Sequence, residues 1–314
     1  MANSRPTVAQ LRAFVALAEH LHFRDAAAAL RISQPALSGA VASLEECVHA
    51  RLVERTTRKV LLTPAGERVA RQAEVVLSEL DRLVDEVNAV RGPLVGPLRV
   101  GVIPTVAPYL LPVVLPRLAK EFPDLELSVR EERTDPIVAE LLAGRLDVVV
   151  LALPTPAAGV TELALYDEDF VLVAPADFDF GDLERPDGVH REALSRLDVL
   201  LLNEGHCLRD QALDVCRDVG ARPAAATYAT SLATLVQLVS GGLGVTLVPE
   251  TALPVETRRA PHLGLHRFAS PAPFRRIGLG FRSASPRADE FGTLAASIRS
   301  AVAEAGIAEG VRPA

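Results

Sequence analysis

The sequence has 314 residues, of which 49% are hydrophobic and 23% charged, with a net charge of −7. This length and composition exclude a disordered chain and a single small core, and they predict a globular protein of two or three domains. No apolar run is long enough to span a bilayer and no charged-then-apolar leader follows Met1, so we expect a cytoplasmic protein with no membrane partner.

The charge is unevenly distributed. Residues 1–63 carry 8 Lys and Arg against 5 Asp and Glu, whereas residues 64–314 carry 25 against 35. A basic N-terminal segment on an acidic body weakly indicates a nucleic-acid-binding module. The three cysteines and seven histidines form no recognisable metal-ligand motif, so we expect neither a metal nor another cofactor.

The N-terminal segment has the pattern of a helix-turn-helix. Apolar spacing predicts helices over Val8–Glu19, over Arg24–Leu30, and from an N-cap at Ser33 to about Cys47. The third helix would present its first turn to the major groove, with Ser33, Gln34, Pro35 and Ser38 as candidate DNA contacts. Residues 52–62 read as a hairpin wing, whose candidate phosphate contacts are Arg55, Arg58 and Lys59. A generic three-helix bundle is the alternative.

The next segment, from Pro64 to about Arg91, predicts a long helix. Its apolar residues follow a four-and-three spacing that is typical of a coiled-coil seam, which favours a homodimer. These residues are Val69, Ala73, Val76, Leu80, Leu83, Val87 and Val90. A short hinge follows at 93–97.

Beyond Leu98 short apolar strands alternate with helices, which predicts an α/β domain with a mostly parallel sheet. The predicted strands are 98–103, 125–130, 147–153, 170–174, 199–202, 245–248 and 277–281, and the predicted helices are 106–122, 136–142, 208–219, 231–240 and 288–305. Thr105 and Thr134 follow the first two strands, where ligands bind in such folds, although each could instead be a helix N-cap.

One helix of this domain carries two cysteines. The pattern predicts a helix from near Cys207 to a stop at Gly220, with Cys216 on the flank of its apolar face. Nine residues of helix separate the two sulfurs by roughly 13 Å of rise and half a turn, so they cannot bond unless the helix unwinds. The helix N-terminus, His206 and Arg209 would lower the pKa of the Cys207 thiol. The alternative is a pair of ordinary core cysteines.

Two runs of residues resemble the LysR-type transcriptional regulators. The first comprises Phe14, Phe23, Ala26, Ala27, Leu30, residues 33–38, Leu44, Glu45, Leu52, Arg55 and residues 63–66. The second, Gly205–Gln211, reads G-H-C-L-R-D-Q with a second cysteine nine residues on, and it is similar to the reactive segment of the peroxide-sensing members. One departure is Val48-His49, preceded by Cys47, where the family usually has Leu-Gly.

The resemblance implies a multidomain α+β and α/β fold. It comprises a winged helix-turn-helix at 1–63 (the helix-turn-helix about 23–42), a dimerising linker helix at 64–92, the 93–97 hinge, an effector domain at 98–305 and a mobile tail at 306–314. The effector domain would be built like a periplasmic binding protein, with subdomain I at about 98–172 plus 276–305 and subdomain II at about 173–275.

The resemblance also implies a non-enzymatic mechanism. Hydrogen peroxide would oxidise Cys207, Cys216 would resolve the product as a reversible disulfide, and Thr105 and Thr134 would orient the peroxide, in a run that includes His206, Arg209 and Asp210. The implied partners are double-stranded promoter DNA of antioxidant genes, RNA polymerase, cellular thiol reductants and a second dimer that completes a homotetramer. Alternatives are a LysR-type regulator of a small carboxylate metabolite, a thiol peroxidase and a structural DNA-binding protein.

Overall fold

A computed structural model describes residues 5–55, 60–88, 94–155, 157–221, 223–260, 262–306 and 311–313. The chain divides into two compact units, Met1–Val90 with Ala143–Arg145, and Arg91–Leu142 with Leu146–Ala314. Within the described ranges, no helix combines the length and the apolar character that crossing a membrane requires.

The first unit contains the predicted helices and wing strands. Its elements are α1 (Val8–His20), α2 (Phe23–Ala29), α3 (Gln34–Cys47), β1 (Val53–Arg55), β2 (Val60–Leu62) and α4 (Pro64–Asn88). The Ser33 hydroxyl accepts a hydrogen bond from the Ala36 N–H at 3.3 Å, which confirms the predicted N-cap. His49, which replaces the family's glycine, adopts a left-handed φ of 51° after α3.

A close backbone approach fixes the start of α4. A Cβ atom on Gly66 would lie 2.1 Å from the Leu52 carbonyl oxygen, so only glycine lets α4 pack against the chain before the wing. The first turns of α4 pack into the core of the same unit, where Ala70 is buried and Val69 is partly buried. The start of the predicted dimer seam is therefore also used for packing inside the unit.

The second unit is a mixed α/β domain. Its elements are β3 (Gly96–Val102), α5 (Ala107–Glu121), β4 (Leu125–Glu131), α6 (Thr134–Leu142), β5 (Val148–Leu153), β6 (Val160–Pro175), β7 (Glu184–Arg185), β8 (Gly188–Val189), β9 (Val199–Leu202), α7 (Cys207–Asp218), β10 (Pro223–Ala229), α8 (Leu232–Ser240), β11 (Thr246–Pro249), α9 (Leu253–Glu256), β12 (Leu263–Arg267), β13 (Phe274–Arg282), α10 (Ala288–Ala305) and β14 (Val311–Pro313). Short 3₁₀ helices lie at Gly181–Leu183, Arg191–Arg196, Glu250–Ala252 and Thr257–Arg259.

The expectation of a mostly parallel sheet is wrong. In the large sheet the strand order is β11-β6-β13-β5-β3-β4, with β12 and β14 also paired to β6. Only the β3 pairings with β4 and β5 are parallel there, and β13 returns antiparallel between β5 and β6. The main difference from the prediction is β6, which begins ten residues before the predicted strand at 170–174.

The second unit, which we call the effector unit below, has two hydrophobic cores. Core I contains residues of β3, α5, α6, β5 and α10, and core II contains residues of β9, α7, α8 and β11. Strand β6 contributes Tyr166 to core I and Phe170 to core II. The change of core along β6 thus falls a few residues before the predicted subdomain boundary at 172–173. We use subdomain I and subdomain II below for the parts built on these two cores.

Part of the predicted mobile tail is a paired strand. β14 runs antiparallel to β6, with Arg312 opposite Asp167. The Arg312 guanidinium also makes two hydrogen bonds to the Asp169 carboxylate, at 2.8 and 3.0 Å. Val311 packs against core I, so apolar contact and ion pairing both hold this segment on β6.

Candidate functional site

The two effector-domain cysteines lie on one helix but face different cores. Helix α7 begins at Cys207, as predicted, and both cysteines are free thiols. Cys207 is partly buried and packs against core I. Cys216 is fully buried in core II, together with Leu208 and Ala212 of the same helix. The helix therefore holds the two sulfurs apart, in agreement with the rise of roughly 13 Å that nine residues predict.

The two thiols differ in environment. Burial raises the pKa of the Cys216 thiol to about 11, so Cys216 stays protonated at neutral pH. A protonated thiol is a poor nucleophile. Cys207 lies at the first helical position, where backbone N–H groups of the first turn have no partner within the helix. Of these two cysteines, Cys207 is thus the one placed to react first.

Three buried polar atoms, two of them in α7 or at its N-cap and one in α6, have no hydrogen-bond partner among the described residues. They are Thr134 Oγ1, His206 Nδ1 and Gln211 Oε1. His206 immediately precedes Cys207, Gln211 lies one helical turn after it, and Thr134 opens α6. Leaving such a group unpaired costs about 1–3 kcal/mol. Each of these atoms is therefore available for a hydrogen bond with a small polar molecule.

Thr105 belongs to a buried polar network that the sequence did not reveal. The Arg275 guanidinium donates to the Thr105 hydroxyl at 3.0 Å and to the Thr105 carbonyl at 2.9 Å. It also pairs with the Glu168 carboxylate at 2.7 Å, and both side chains are fully buried. Thr251 donates its hydroxyl to the same carboxylate at 2.6 Å. The hydroxyl of Thr105 accepts in this network and keeps its own proton to donate.

The N-cap alternative for the two threonines is wrong. The N-cap of α5 is Val106, with no side-chain cap. Thr134 is the first residue of α6, and its hydroxyl has no hydrogen-bond partner among the described residues. Neither hydroxyl is used to cap a helix, so both stay candidates for ligand contact.

His206 and Arg209 are expected from the sequence to add hydrogen-bond donors or positive potential beside Cys207, and His206 adds no positive charge. Its side chain is buried, and burial, followed by the positive charge of Arg133, lowers its pKa. The imidazole is therefore neutral at pH 7 and acts through hydrogen bonding. Arg209 lies nearer to the preceding loop, with its guanidinium 3.5 Å from the Leu202 carbonyl and 3.7 Å from the Glu204 carboxylate. Asp210 is exposed in the first turn of α7.

A cavity of about 350 Å³ opens between the subdomains beside this segment. Thr105, Arg133 and His206 are among its lining residues, and so are three glutamates, Glu131, Glu132 and Glu256. The lining thus contains more carboxylates than basic groups. No group of three or more His, Cys, Asp or Glu side chains suited to a metal ion was found where the structure describes the chain.

The candidate DNA contacts are partly described. Ser33, Gln34 and Pro35 are exposed at the start of α3, and Ser38 is half-buried one turn later. Arg55 ends β1, whereas its side chain and residues Arg58 and Lys59 lie outside the described residues. The exposed first turn of α3 has the accessibility that a recognition helix requires.

The predicted seam of α4 changes along its length. Ala73 is buried, but Val76 is 40% exposed and Leu83 is 64% exposed. Leu80 is half-buried, and the side chain of Val87 lies outside the described residues. An apolar stripe that stays exposed toward the end of a long helix is typical of a surface that pairs with another helix.

Comparison with known proteins places this geometry in a family. Residues 8–67 match the bacterial regulatory helix-turn-helix protein of the lysR family, and residues 91–303 match the LysR substrate binding domain. The chain is 57% identical over 299 residues to a probable hydrogen peroxide-inducible genes activator of Streptomyces viridosporus, which covers 95% of each chain.

Comparison with solved structures indicates the same family. A full-length OxyR from Pseudomonas aeruginosa with a cysteine-to-aspartate substitution is 34% identical, with a TM-score of 0.75 and coverage of 94% of this chain and 95% of that one. A cysteine-to-serine variant of Corynebacterium glutamicum OxyR with bound H₂O₂ is 44% identical, with a TM-score of 0.66 and coverage of 96% and 94%. The chain therefore belongs to the LysR family of transcriptional regulators, in which it closely resembles OxyR.

Proposed function

We propose that this protein is a peroxide-sensing transcriptional regulator in which Cys207 is the reactive residue. The observation that carries the proposal is a partly buried cysteine at a helix start, with His206 before it and Gln211 one turn after it, each having a buried polar atom without a partner among the described residues. Thr134 has a third such atom and adjoins Arg133, whose guanidinium contacts the Glu204 carbonyl before this helix. Hydrogen peroxide has two donors and two oxygens that accept, so it can satisfy such groups. The relatives named as peroxide-inducible activators and the peroxide-bound relative support the same ligand.

In the proposed first step, the Cys207 thiolate attacks one peroxide oxygen. A sulfur–oxygen bond forms and the oxygen–oxygen bond breaks, giving a sulfenic acid and a hydroxide that takes up a proton to become water. The Thr105 hydroxyl, whose oxygen already accepts from Arg275, has a proton to donate to the leaving oxygen. The Thr134 hydroxyl and neutral His206 would help to orient the peroxide for this attack.

In the proposed second step, Cys216 attacks the Cys207 sulfenic acid, and the disulfide forms as water leaves. Overall, two thiols and one peroxide give one disulfide and two waters. Because the two cysteines occupy different cores, the 207–216 segment must unwind before the sulfurs meet. The loss of helix and of core II packing is the conformational signal, and cellular thiol reductants reverse it.

We propose that this signal reaches promoter DNA through the N-terminal unit. The exposed first turn of α3, with Ser33, Gln34 and Pro35, would read the major groove together with Ser38, and Arg55, Arg58 and Lys59 would bind the backbone. The apolar stripe of α4 would join two chains, and two dimers would form the tetramer. Binding of RNA polymerase and activation of antioxidant genes follow from the family resemblance. Chromosomal DNA as the target places the protein in the cytoplasm.

The metabolite alternative is less well supported. A regulator of a small carboxylate needs cationic groups in the cleft between its subdomains. That cleft is lined by three glutamates and one arginine, Arg133, and Arg133 already donates to a backbone carbonyl. The alternative also gives no role to a helix with a cysteine in each core. A thiol peroxidase would not need the helix-turn-helix unit.

Mass mapping of all three cysteines after one equivalent of hydrogen peroxide tests the proposal. We expect a crosslink between Cys207 and Cys216, with Cys47 left as a free thiol and full reversal by a dithiol reductant. Peptides in which Cys207 stays reduced under these conditions, or in which Cys47 is oxidised first, would contradict the proposal.

A further inference from the structure

The loop that carries the reactive cysteine is held from the opposite subdomain. This loop, Asn203–His206, leads from β9 into α7 and belongs to subdomain II, whereas Arg133 directly precedes α6 of subdomain I. The Arg133 guanidinium donates to the Glu204 carbonyl oxygen at 3.2 Å. This hydrogen bond joins the two subdomains at the N-terminus of α7, the helix that is proposed to unwind.

A second observation places Arg133 on the same loop. Gly205 has a left-handed φ of 88°, and a Cβ atom there would lie 3.1 Å from Arg133 Cδ. The aliphatic part of Arg133 therefore packs over the backbone of Gly205 while its guanidinium binds Glu204. Glycine at this position supplies both the backbone conformation and the space that the arginine needs.

The closeness of Arg133 also affects His206, because the charge of Arg133, after burial, lowers the pKa of His206. The other titratable side chains that line the cavity with His206 are Glu131, Glu132, Tyr109 and Glu256. The glutamates favour the protonated imidazole, so the opposite shift reflects burial and the closeness of Arg133.

We propose that Arg133 is a positioning residue that tethers the loop before Cys207 to subdomain I and must release it before the disulfide can form. The inference rests on the proposed peroxide switch. Unwinding α7 from its N-terminal end moves Glu204 and Gly205, since they are joined directly to the segment that refolds. The tether thus stabilises the reduced conformation and slows the second chemical step without taking part in the first.

Arg130 offers a matched control. It lies three residues away on β4, and its guanidinium pairs with Glu140 of α6 at 2.9 Å, within subdomain I. Replacing Arg130 by glutamine removes the same charge from the same subdomain but leaves the loop contact intact. Arg133→Lys keeps the positive charge and loses the geometry of the guanidinium.

The experiment follows the full-length protein after rapid mixing with stoichiometric hydrogen peroxide. Sulfenic acid is trapped with a dicarbonyl reagent and disulfide is quantified by mass spectrometry, so the two steps have separate rates. We expect Arg133→Gln to form the disulfide from the sulfenic acid roughly three- to tenfold faster, as for loss of one partly exposed charged hydrogen bond. Arg133→Lys should be intermediate, and Arg130→Gln should match the wild type.

A second readout is the NMR titration of His206. Its pKa should rise in Arg133→Gln and stay unchanged in Arg130→Gln, because only the first variant removes the charge that lowers it. Disulfide formation in Arg133→Gln that is no faster than in Arg130→Gln would overturn the tether and leave the peroxide switch standing. A wild-type protein that forms no disulfide between residues 207 and 216 would contradict both the tether and the peroxide switch.

Discussion

Cys207→Ser is expected to abolish the transcriptional response to hydrogen peroxide. In Cys216→Ser, peroxide should still oxidise Cys207, but no disulfide should form. Peroxide does not oxidise a serine hydroxyl at neutral pH, so the first step cannot occur in Cys207→Ser. In Cys216→Ser the sulfenic acid has no resolving thiol and accumulates. The two variants therefore separate oxidation of Cys207 from the change in fold that follows it.

The measurement is transcription from a responsive promoter in vitro, with the oxidation state of each cysteine read from the same samples. Cys47→Ser serves as the matched control, since Cys47 lies at the end of α3 in the other unit, and it should respond like the wild type. A Cys207→Ser protein that still responds to peroxide in this assay would contradict the proposed role of Cys207.

The second large effect is expected at the buried ion pair. Arg275→Met leaves the Glu168 carboxylate buried without its cation, while Thr251 of the described residues still donates to it. Removing one partner of a fully buried pair costs about 3–5 kcal/mol because a buried charge is left uncompensated. The free energy of unfolding of the effector unit should therefore fall by that amount.

The double variant Glu168→Leu, Arg275→Met tests the reason for this loss. Since it leaves no uncompensated charge at this buried position, it should be more stable than Arg275→Met alone. The chain has three tyrosines and no tryptophan, and Tyr109, Tyr166 and Tyr228 all lie in the effector unit. Tyrosine fluorescence during urea unfolding of the full chain thus reports on this unit. Equal stabilities of the wild type and Arg275→Met would show that the pair contributes nothing.

Local sequence signals predicted much of the fold. The apolar spacing of α7 and the start of that helix at Cys207 follow from a single stretch of sequence, as do the Ser33 cap and α3. The buried strand β9 was predicted with its observed bounds, Val199–Leu202. In each case the residues that decide the structure are neighbours along the chain, so their pattern is sufficient.

The parts of the fold that the sequence did not predict depend on interactions between distant segments. The first part of β6 contains Glu162, Asp167, Glu168 and Asp169, whose polarity resembles that of a loop. These residues lie in a sheet because arginines of later strands neutralise several of them, as Arg275 does for Glu168 from 107 positions away. The antiparallel return of β13 follows from the same pairing. No local pattern predicts these contacts. The wrong prediction of a mostly parallel sheet came from their absence in the sequence pattern.

The electrostatics of the candidate site differ from what the sequence predicted. The sequence predicted that His206 and Arg209 add hydrogen-bond donors or positive potential beside Cys207. Burial of His206 and the charge of Arg133 favour a neutral imidazole instead. Arg133 lies 71 positions before Glu204, so no local pattern links the two residues. Its position after β4, at the carboxyl end of a parallel strand, was the signal that could have identified it.

The central claim is that peroxide joins two sulfurs that a helix keeps in separate cores, and that the helix unwinds when they join. Amide hydrogen exchange of α7 in the full-length protein, before and after one equivalent of peroxide, tests it most directly. We expect the amides of residues 208–216 to be protected in the reduced protein and to exchange much faster once the disulfide forms, while those of β9 stay protected. Equal protection of α7 in both states, with the disulfide present, would contradict the account.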